Sequence, residues 1–192
     1  PSPFGKKENE ITTLLFTKKT INENQELVKA EIGTYASVKL IKARNYDGVM
    51  EIKNGLININ SLQTEMPNNG VTLSAELSEV NLESINSLFS SLGSKSFITN
   101  ANINIQEFNV YGYQLSNAKI KYVPTNENLS IQISSNDVSG NILWDKEAHL
   151  LKAGFEKLHL KKNSTIADNE DKFIFSNPPK INIKVKSLAL DE

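Results

Sequence analysis

Apolar and polar residues alternate along most of this chain, in short runs separated by Gly, Pro, Asn and Asp. The clearest series extends from Ala101 to Leu160, where one alternating run follows another with brief interruptions. Successive side chains of a strand point to opposite faces of a sheet, so alternation with period two predicts strands that have one apolar face. The stretch therefore predicts a meandering antiparallel sheet.

Similar runs precede this series. The run 26–43 divides at Gly33 into two predicted strands, with Leu27, Val38 and Leu40 among the inward residues. Residues 45–48 then supply a turn. Further along, Asn54-Gly55 lies between two apolar runs, which predicts a hairpin with a two-residue turn.

One segment changes from period two to the helical period. Its apolar residues fall on one helical stripe, and they are Leu82, Ile85, Leu88, Phe89 and Leu92. Asn81 is suited to the N-cap and Gly93 to the C-terminal stop. The pattern predicts one short amphipathic helix at about 82–92, packed on the sheet.

The last strands show a change of parity. Leu151, Ala153 and Phe155 share one parity, whereas Leu158 and Leu160 have the other. A β-bulge near Gly154 to Glu156 would return both sets to one face. A polar loop is expected at about 161–178, followed by a final strand in which the parity changes again between Val185 and Leu188.

Charge and composition exclude several classes of protein. The 192 residues carry a net charge of -1, which argues against nucleic-acid binding, and they contain no cysteine. No apolar run is long enough for a transmembrane helix, and residues 1–10 lack the apolar core of a signal peptide. We expect one β-rich segment, residues 1–192, of a longer protein. The absence of cysteine slightly favours a protein of the cell envelope.

Candidate catalytic or metal-binding residues are few. His149 and His159 are ten residues apart on one predicted strand, so they cannot share a centre, and Asp168, Glu170 and Asp171 lack the spacing of a calcium loop. No nucleophile elbow, HExxH, Walker A or GxGxxG motif occurs. The sequence predicts no enzyme, no metal site and no cofactor.

The apolar face of the meander allows two interpretations. Periodicity alone favours the closed interior of a β-sandwich, while an incompletely closed face would form a trough for acyl chains. The candidate lining residues are Ile103, Ile105, Ile120, Tyr122, Leu129, Ile131, Ile133, Val138, Ile142, Phe155 and Leu158.

Three local patterns resemble the AsmA-like superfamily of bacterial envelope proteins, and most closely its YhdP branch. The stretch 70–89, GVTLSAELSEVNLESINSLF, resembles the family's amphipathic strand followed by a short helix. The stretch 136–144, NDVSGNILW, resembles its strand with a glycine before a small-to-apolar step. The stretch 155–160, FEKLHL, with 179–183, PKINI, resembles its passage of two short strands around a polar loop.

The resemblance implies a strongly curved, taco-like antiparallel sheet whose open groove holds phospholipid acyl chains. It further implies a parent protein that is anchored in the inner membrane and crosses the periplasm of a Gram-negative bacterium. On that basis the chain is expected to be a lipid-conducting segment without cofactors, with envelope proteins as further partners. The alternative is a closed β-sandwich that serves as a structural or protein-interaction module and binds through a sheet edge.

Overall fold

The computed structural model describes residues 12–81, 98–110, 113–124, 128–145, 147–162 and 180–191. They form eleven strands of one sheet, and the order of the strands in the sheet follows their order in the chain. The strands are β1 (Leu14–Asn22), β2 (Gln25–Ile32), β3 (Ala36–Arg44), β4 (Met50–Ile59), β5 (Gly70–Asn81), β6 (Ile98–Val110), β7 (Tyr113–Pro124), β8 (Asn128–Ser134), β9 (Val138–Asp145), β10 (Leu150–Lys162) and β11 (Lys180–Asp191). The prediction of a mainly β protein is confirmed.

The sheet is mixed, whereas the sequence predicted an antiparallel meander. Strands β1 to β4 and strands β7 to β10 pair antiparallel with their neighbours. The pairs β4–β5 and β10–β11 are parallel. A parallel pair needs a connection that returns to the starting end of the first strand, and alternation within the strands cannot reveal that return.

The return between β4 and β5, residues 60–69, lies along one face of β4. The amide groups of Asn58 and Asn54 donate to the carbonyl oxygens of Gln63 (2.8 Å) and Pro67 (2.7 Å). Leu56, which lies between these two asparagines on the same face, is only 3% exposed. The returning segment therefore covers the Asn54–Leu56–Asn58 side of the strand.

The predicted hairpin at Asn54-Gly55 is wrong. Both residues lie inside β4, where they pair with Ile41 and Leu40 of β3 and with β5 on the other side. Pairing on both sides outweighs the local turn preference, and the extra residue Lys53 is accommodated in a bulge.

The turn expected at residues 45–48 is present. The side-chain oxygen of Asn45 accepts from the backbone N–H groups of Asp47 (3.0 Å) and Val49 (2.9 Å). Gly48 has a φ of 80°, a conformation that side chains disfavour.

The bulge predicted in β10 is confirmed. Phe155 pairs with Gly140 and Lys157 with Ser139, so Glu156 is the extra residue. In the parallel pair, Phe155 faces Val185 and Leu158 faces Leu188, so the parity changes of β10 and β11 lie side by side. One bulged position thus explains both irregularities of the sequence.

Two other predictions fall partly or wholly on residues outside the described ranges. The helix at about 82–92 lies outside them. Strand β10 continues to Lys162, so Lys161 and Lys162 are strand rather than loop, and the rest of the expected loop lies outside the described residues.

The chain divides into two compact units. Unit 1 comprises residues 1–78 and 92–103, and unit 2 comprises residues 79–91 and 104–192. The described core of unit 1 is formed by Leu56, Ile59, Val71, Leu73, Ala75, Ile98, Ala101 and Ile103, and that of unit 2 by Val80, Ile105, Phe108, Leu115, Ala118, Val138 and Ala153.

Candidate functional site

Apolar side chains of unit 2 lie in register across five strands. Paired residues of neighbouring strands project from the same face, so the pairing of β7 to β11 defines rows that run across the sheet. The first row is Leu129, Trp144, Leu151 and Ile181; the second is Tyr122, Ile131, Ile142, Ala153 and Ile183; the third is Ile120, Ile133, Gly140, Phe155 and Val185; the fourth is Val138, Leu158 and Leu188. We call these rows the apolar face of unit 2.

Nine of the eleven candidate lining residues belong to this face. They are Ile120, Tyr122, Leu129, Ile131, Ile133, Val138, Ile142, Phe155 and Leu158. The other two, Ile103 and Ile105, are on β6 and are 4% and 1% exposed. Those two side chains are packed in the cores of their units.

Exposure on the apolar face is highest on the edge strand β11. Val138 and Ala153 are 3% and 6% exposed, and most of the other side chains on β7 to β10 are half-buried. On β11, Ile181, Ile183 and Leu188 are 56–61% exposed. Within the described ranges the face is thus only partly covered.

The size of this face is comparable to that of the largest apolar patch on a typical soluble monomer. Five strands and four rows correspond to roughly 19 Å by 20 Å, an area of about 400 Å². A patch of this size is often functional.

Strands β8 and β9 are short, and their turn is fixed between longer neighbours. Asn136 N–H donates to the Ser116 carbonyl of β7 (3.3 Å), and His159 N–H donates to the Asp137 carbonyl (2.9 Å). Beyond this turn β7 and β10 pair directly, through Gln114 with Lys161. The hairpin is therefore held on both sides, which keeps Ile131 and Ile142 in the middle of the apolar face.

An irregular backbone position in β7 lies between two buried apolar residues. Asn117 has a φ of 55°, in the left-handed region that Asn tolerates better than most residues. Leu115 and Ala118, which flank it with opposite parity, are both buried, at 4% and 0% exposed. The irregular position lets residues on both sides of it contribute to the core.

A second apolar face lies in unit 1, and sequence reasoning did not include it among the candidate sites. Its in-register rows are Leu14, Ile32, Ala36, Ile59 and Ala75; Phe16, Ala30, Val38, Ile57 and Leu73; and Val28, Leu40, Gly55 and Val71. The alternation of apolar and polar residues along these strands could have identified this face. Leu27 pairs with Ile41 and lies on the opposite face, so Val28 takes the inward position that was assigned to Leu27.

The two faces of unit 1 differ in what covers them. The 60–69 return lies on the side that carries Asn54 and Asn58, opposite the apolar rows. The connection that a parallel pair requires therefore does not occupy the apolar rows.

Polar groups around the apolar face offer no catalytic arrangement among the described residues. The ring of His149 contacts Trp144 edge-on (5.3 Å), and His159 Nε2 is 3.0 Å from Ser187 Oγ. Burial raises the pKa of the Tyr122 hydroxyl above its ordinary value. The described part of the chain contains no cluster of metal-ligating side chains and no helix that could span a membrane.

Comparison with known proteins gives one match. The model of the YhdP protein family matches residues 1–192, the whole chain. No curated protein and no solved structure shows a significant similarity to it.

Proposed function

Because the chain belongs to the YhdP family, a cell-envelope family of Gram-negative bacteria, we propose that its apolar face carries phospholipid acyl chains through the periplasm. The observation that carries the proposal is the set of in-register apolar rows on β7 to β11, which remain half-buried or exposed. In this proposal the chain is part of a longer protein anchored in the inner membrane.

Such a face replaces water as the surroundings of an acyl chain. Each methylene group kept out of water is worth about 0.8 kcal/mol, so an acyl chain on the apolar rows avoids most of the barrier to leaving a membrane. The head group remains in water and needs no specific partner. Rows built from similar aliphatic side chains suit movement along the sheet, because no deep local site retains the lipid.

Two observations favour a face left open for lipid over the closed interior of a sandwich. Most apolar side chains on β7 to β10 are only half-buried and those on the edge strand β11 are exposed, whereas a closed core would bury them. In unit 1, the segment that connects the parallel strands lies on the opposite face. Both fit a groove, the finer architecture that we propose for the apolar face of unit 2. In unit 1 the rows on β4 and β5 are buried, since Ile59, Val71, Leu73 and Ala75 are 0–8% exposed.

The test places a photoreactive amino acid at Ile131, which pairs with Tyr122 and Ile142 in the second row. The matched control is Gln132, its neighbour on the opposite face, which pairs with Lys121 and Asn141. After irradiation of cells that export the protein to the periplasm, mass spectrometry would identify the crosslinked molecules. We expect phospholipid on the Ile131 variant and little on the Gln132 variant.

Equal lipid labelling at both positions, or none at either, would contradict the proposal. A protein crosslink at Ile131 would instead support a closed or protein-covered face. Lipid extraction from the unmodified protein, purified without detergent, gives an independent reading of the same question.

The runner-up function is protein binding through a sheet edge. All nine residues of β1 are exposed, and Leu14 and Phe16 are 69% and 64% exposed. An edge of this kind can accept a strand from another protein. Lys18→Pro would block such pairing without removing a hydrogen bond to β2, because the Lys18 N–H points away from β2. Loss of a captured protein with lipid labelling unchanged would favour this alternative.

A further inference from the structure

The opposite face of unit 2 carries a surface of exposed lysines. Three in-register rows lie behind the apolar rows: Lys119, Ser134, Ser139, Lys157 and Ser187; Lys121, Gln132, Asn141, Gly154 and Lys184; and Val123, Ser130, Leu143, Lys152 and Asn182. We call these rows the lysine face. Lys119, Lys121, Lys152 and Lys184 on this face are exposed.

These rows contain no acidic residue. Among the described residues, two carboxylates flank the first row. Asp137 pairs with Lys161 (3.4 Å), and Glu156, the bulge residue beside Lys157, pairs with Lys186 (2.7 Å). The next row on this face is Asn128, Asp145, Leu150 and Lys180, in which one carboxylate and one lysine carry opposite charges. The net charge of -1 for the chain therefore conceals a locally positive surface.

We propose that the lysine face binds the surface of an anionic membrane. Its positive charges are spread over several strands, with small hydroxyl and amide side chains between them. Lys121 and Lys184 are four strands apart, about 19 Å. A lipid surface offers many mobile negative charges and needs no matching pocket, so it suits this distribution better than a protein partner, which would need complementary contours.

The proposed membrane contact is distinct from acyl-chain binding. The acyl chain would lie on the apolar face, and the head groups of an intact membrane would face the lysines on the other side of the same strands. If both hold, the sheet can stay beside a membrane while its apolar face remains available.

The experiment measures co-sedimentation of the full chain with two kinds of vesicle, phosphatidylcholine alone and phosphatidylcholine containing phosphatidylglycerol. The variant replaces four exposed lysines, K119Q/K121Q/K152Q/K184Q. The control removes the same charge from unit 1, K19Q/K29Q/K39Q/K53Q. Circular dichroism checks that both variants keep the fold of the parent chain.

We expect the parent chain and the unit 1 control to bind the anionic vesicles and to lose binding at high salt. Each lysine near an anionic surface contributes about a five-fold factor, so the four-lysine variant should bind some hundreds of times more weakly. Equal binding to neutral vesicles, or equal loss in the two variants, overturns the proposal.

The acyl-chain proposal is tested independently of the membrane-binding proposal. Lipid crosslinking at Ile131 should be the same in the four-lysine variant and the parent chain. Binding of an acidic protein without binding to anionic vesicles would replace the membrane by a protein partner and overturn the inference.

Discussion

At the scale of the residue, Gly140 shows how closely one position can be fixed by its neighbours. A Cβ atom at Gly140 would lie 2.5 Å from the backbone oxygen of Gly154 and 2.9 Å from the Cα of Phe155, because β10 bulges toward it. Backbone atoms cannot move aside as a flexible side chain can. The glycine is therefore required by the bulge opposite.

Gly140→Ala should lower the free energy of unfolding by about 1–3 kcal/mol, the usual range for added atoms in a packed site. Gly154→Ala is the control, since a Cβ there meets no atom within 4 Å. Urea denaturation of both variants measures the difference. An equal effect of the two alanines would show that β10 does not bulge against Gly140.

Tyr122 predicts a dependence of stability on alkaline pH. Burial raises its folded-state pKa above the ordinary value of 10.0, so the unfolded chain loses the proton first. This contribution is present below pH 10 and is lost as the pH rises through the raised folded-state pKa. The free energy of unfolding should fall less steeply in this range for Tyr122→Phe than for the parent chain; identical pH curves would contradict the assignment.

At the scale of the element, the bulge of β10 keeps two halves of a strand on one apolar face. Period two means that a shift of one residue turns every following side chain to the other face. Glu156 is the extra residue, and Leu158 and Leu160 follow it. The bulge therefore absorbs the extra residue, so the leucines that follow it stay on the apolar face.

Deletion of Glu156 should destabilise the fold less than deletion of Gly154. Without Glu156, Phe155, Lys157 and Leu158 alternate regularly opposite three consecutive residues of β9, so Leu158 keeps its place on the apolar face. Without Gly154, alternation turns Phe155 to the lysine face and the carboxylate of Glu156 to the apolar face, and the lost burial of the aromatic ring costs about 1–3 kcal/mol. Thermal unfolding compares the two deletions, and a Glu156 deletion as severe as the Gly154 deletion would contradict the bulge.

The return between β4 and β5 depends on side-chain donors. In Asn58→Ala, the Gln63 carbonyl loses its amide partner, so we expect a loss of about 1–3 kcal/mol in the free energy of unfolding. Asn102→Ala, at an exposed position of β6, is the control and should change stability little. Hydrogen exchange of residues 60–69 should also increase in the Asn58 variant alone.

At the scale of the whole molecule, the strands of unit 2 separate two kinds of surface. The apolar face presents aliphatic rows, and the lysine face presents charge over the same strands. Salt should weaken membrane binding at the lysine face and leave acyl-chain binding at the apolar face largely unchanged, because screening weakens charge attraction but not apolar burial. This difference allows acyl binding and membrane binding to be measured apart.

Ile131→Asp tests the apolar face of the folded protein. In a face open to water, the new carboxylate stays hydrated, so the chain should remain folded while lipid capture is lost; in a closed core the unpaired charge should unfold it. Gln132→Asp, on the opposite face, should keep both fold and capture. Circular dichroism and lipid extraction give the two readings, and a folded Ile131→Asp variant that retains its lipid would count against the apolar face.

Alternation by itself determined the strands from Ala101 to Leu160, the inward parity of Ile131 and Ile142, and the bulge near Glu156. These features depend on residues close together in the chain, because successive side chains of a strand point to opposite faces of the sheet. The family assignment also came from local patterns, and the match over residues 1–192 confirmed it.

Only the tertiary structure decided which strands are parallel, that Asn54-Gly55 lies inside β4, and where the 60–69 return lies. Each of these depends on pairing between segments distant in the chain, and such pairing can outweigh a local turn preference. The lysine face became visible for the same reason: Lys121 and Lys184 are far apart in sequence, and pairing through β8, β9 and β10 places them on one surface.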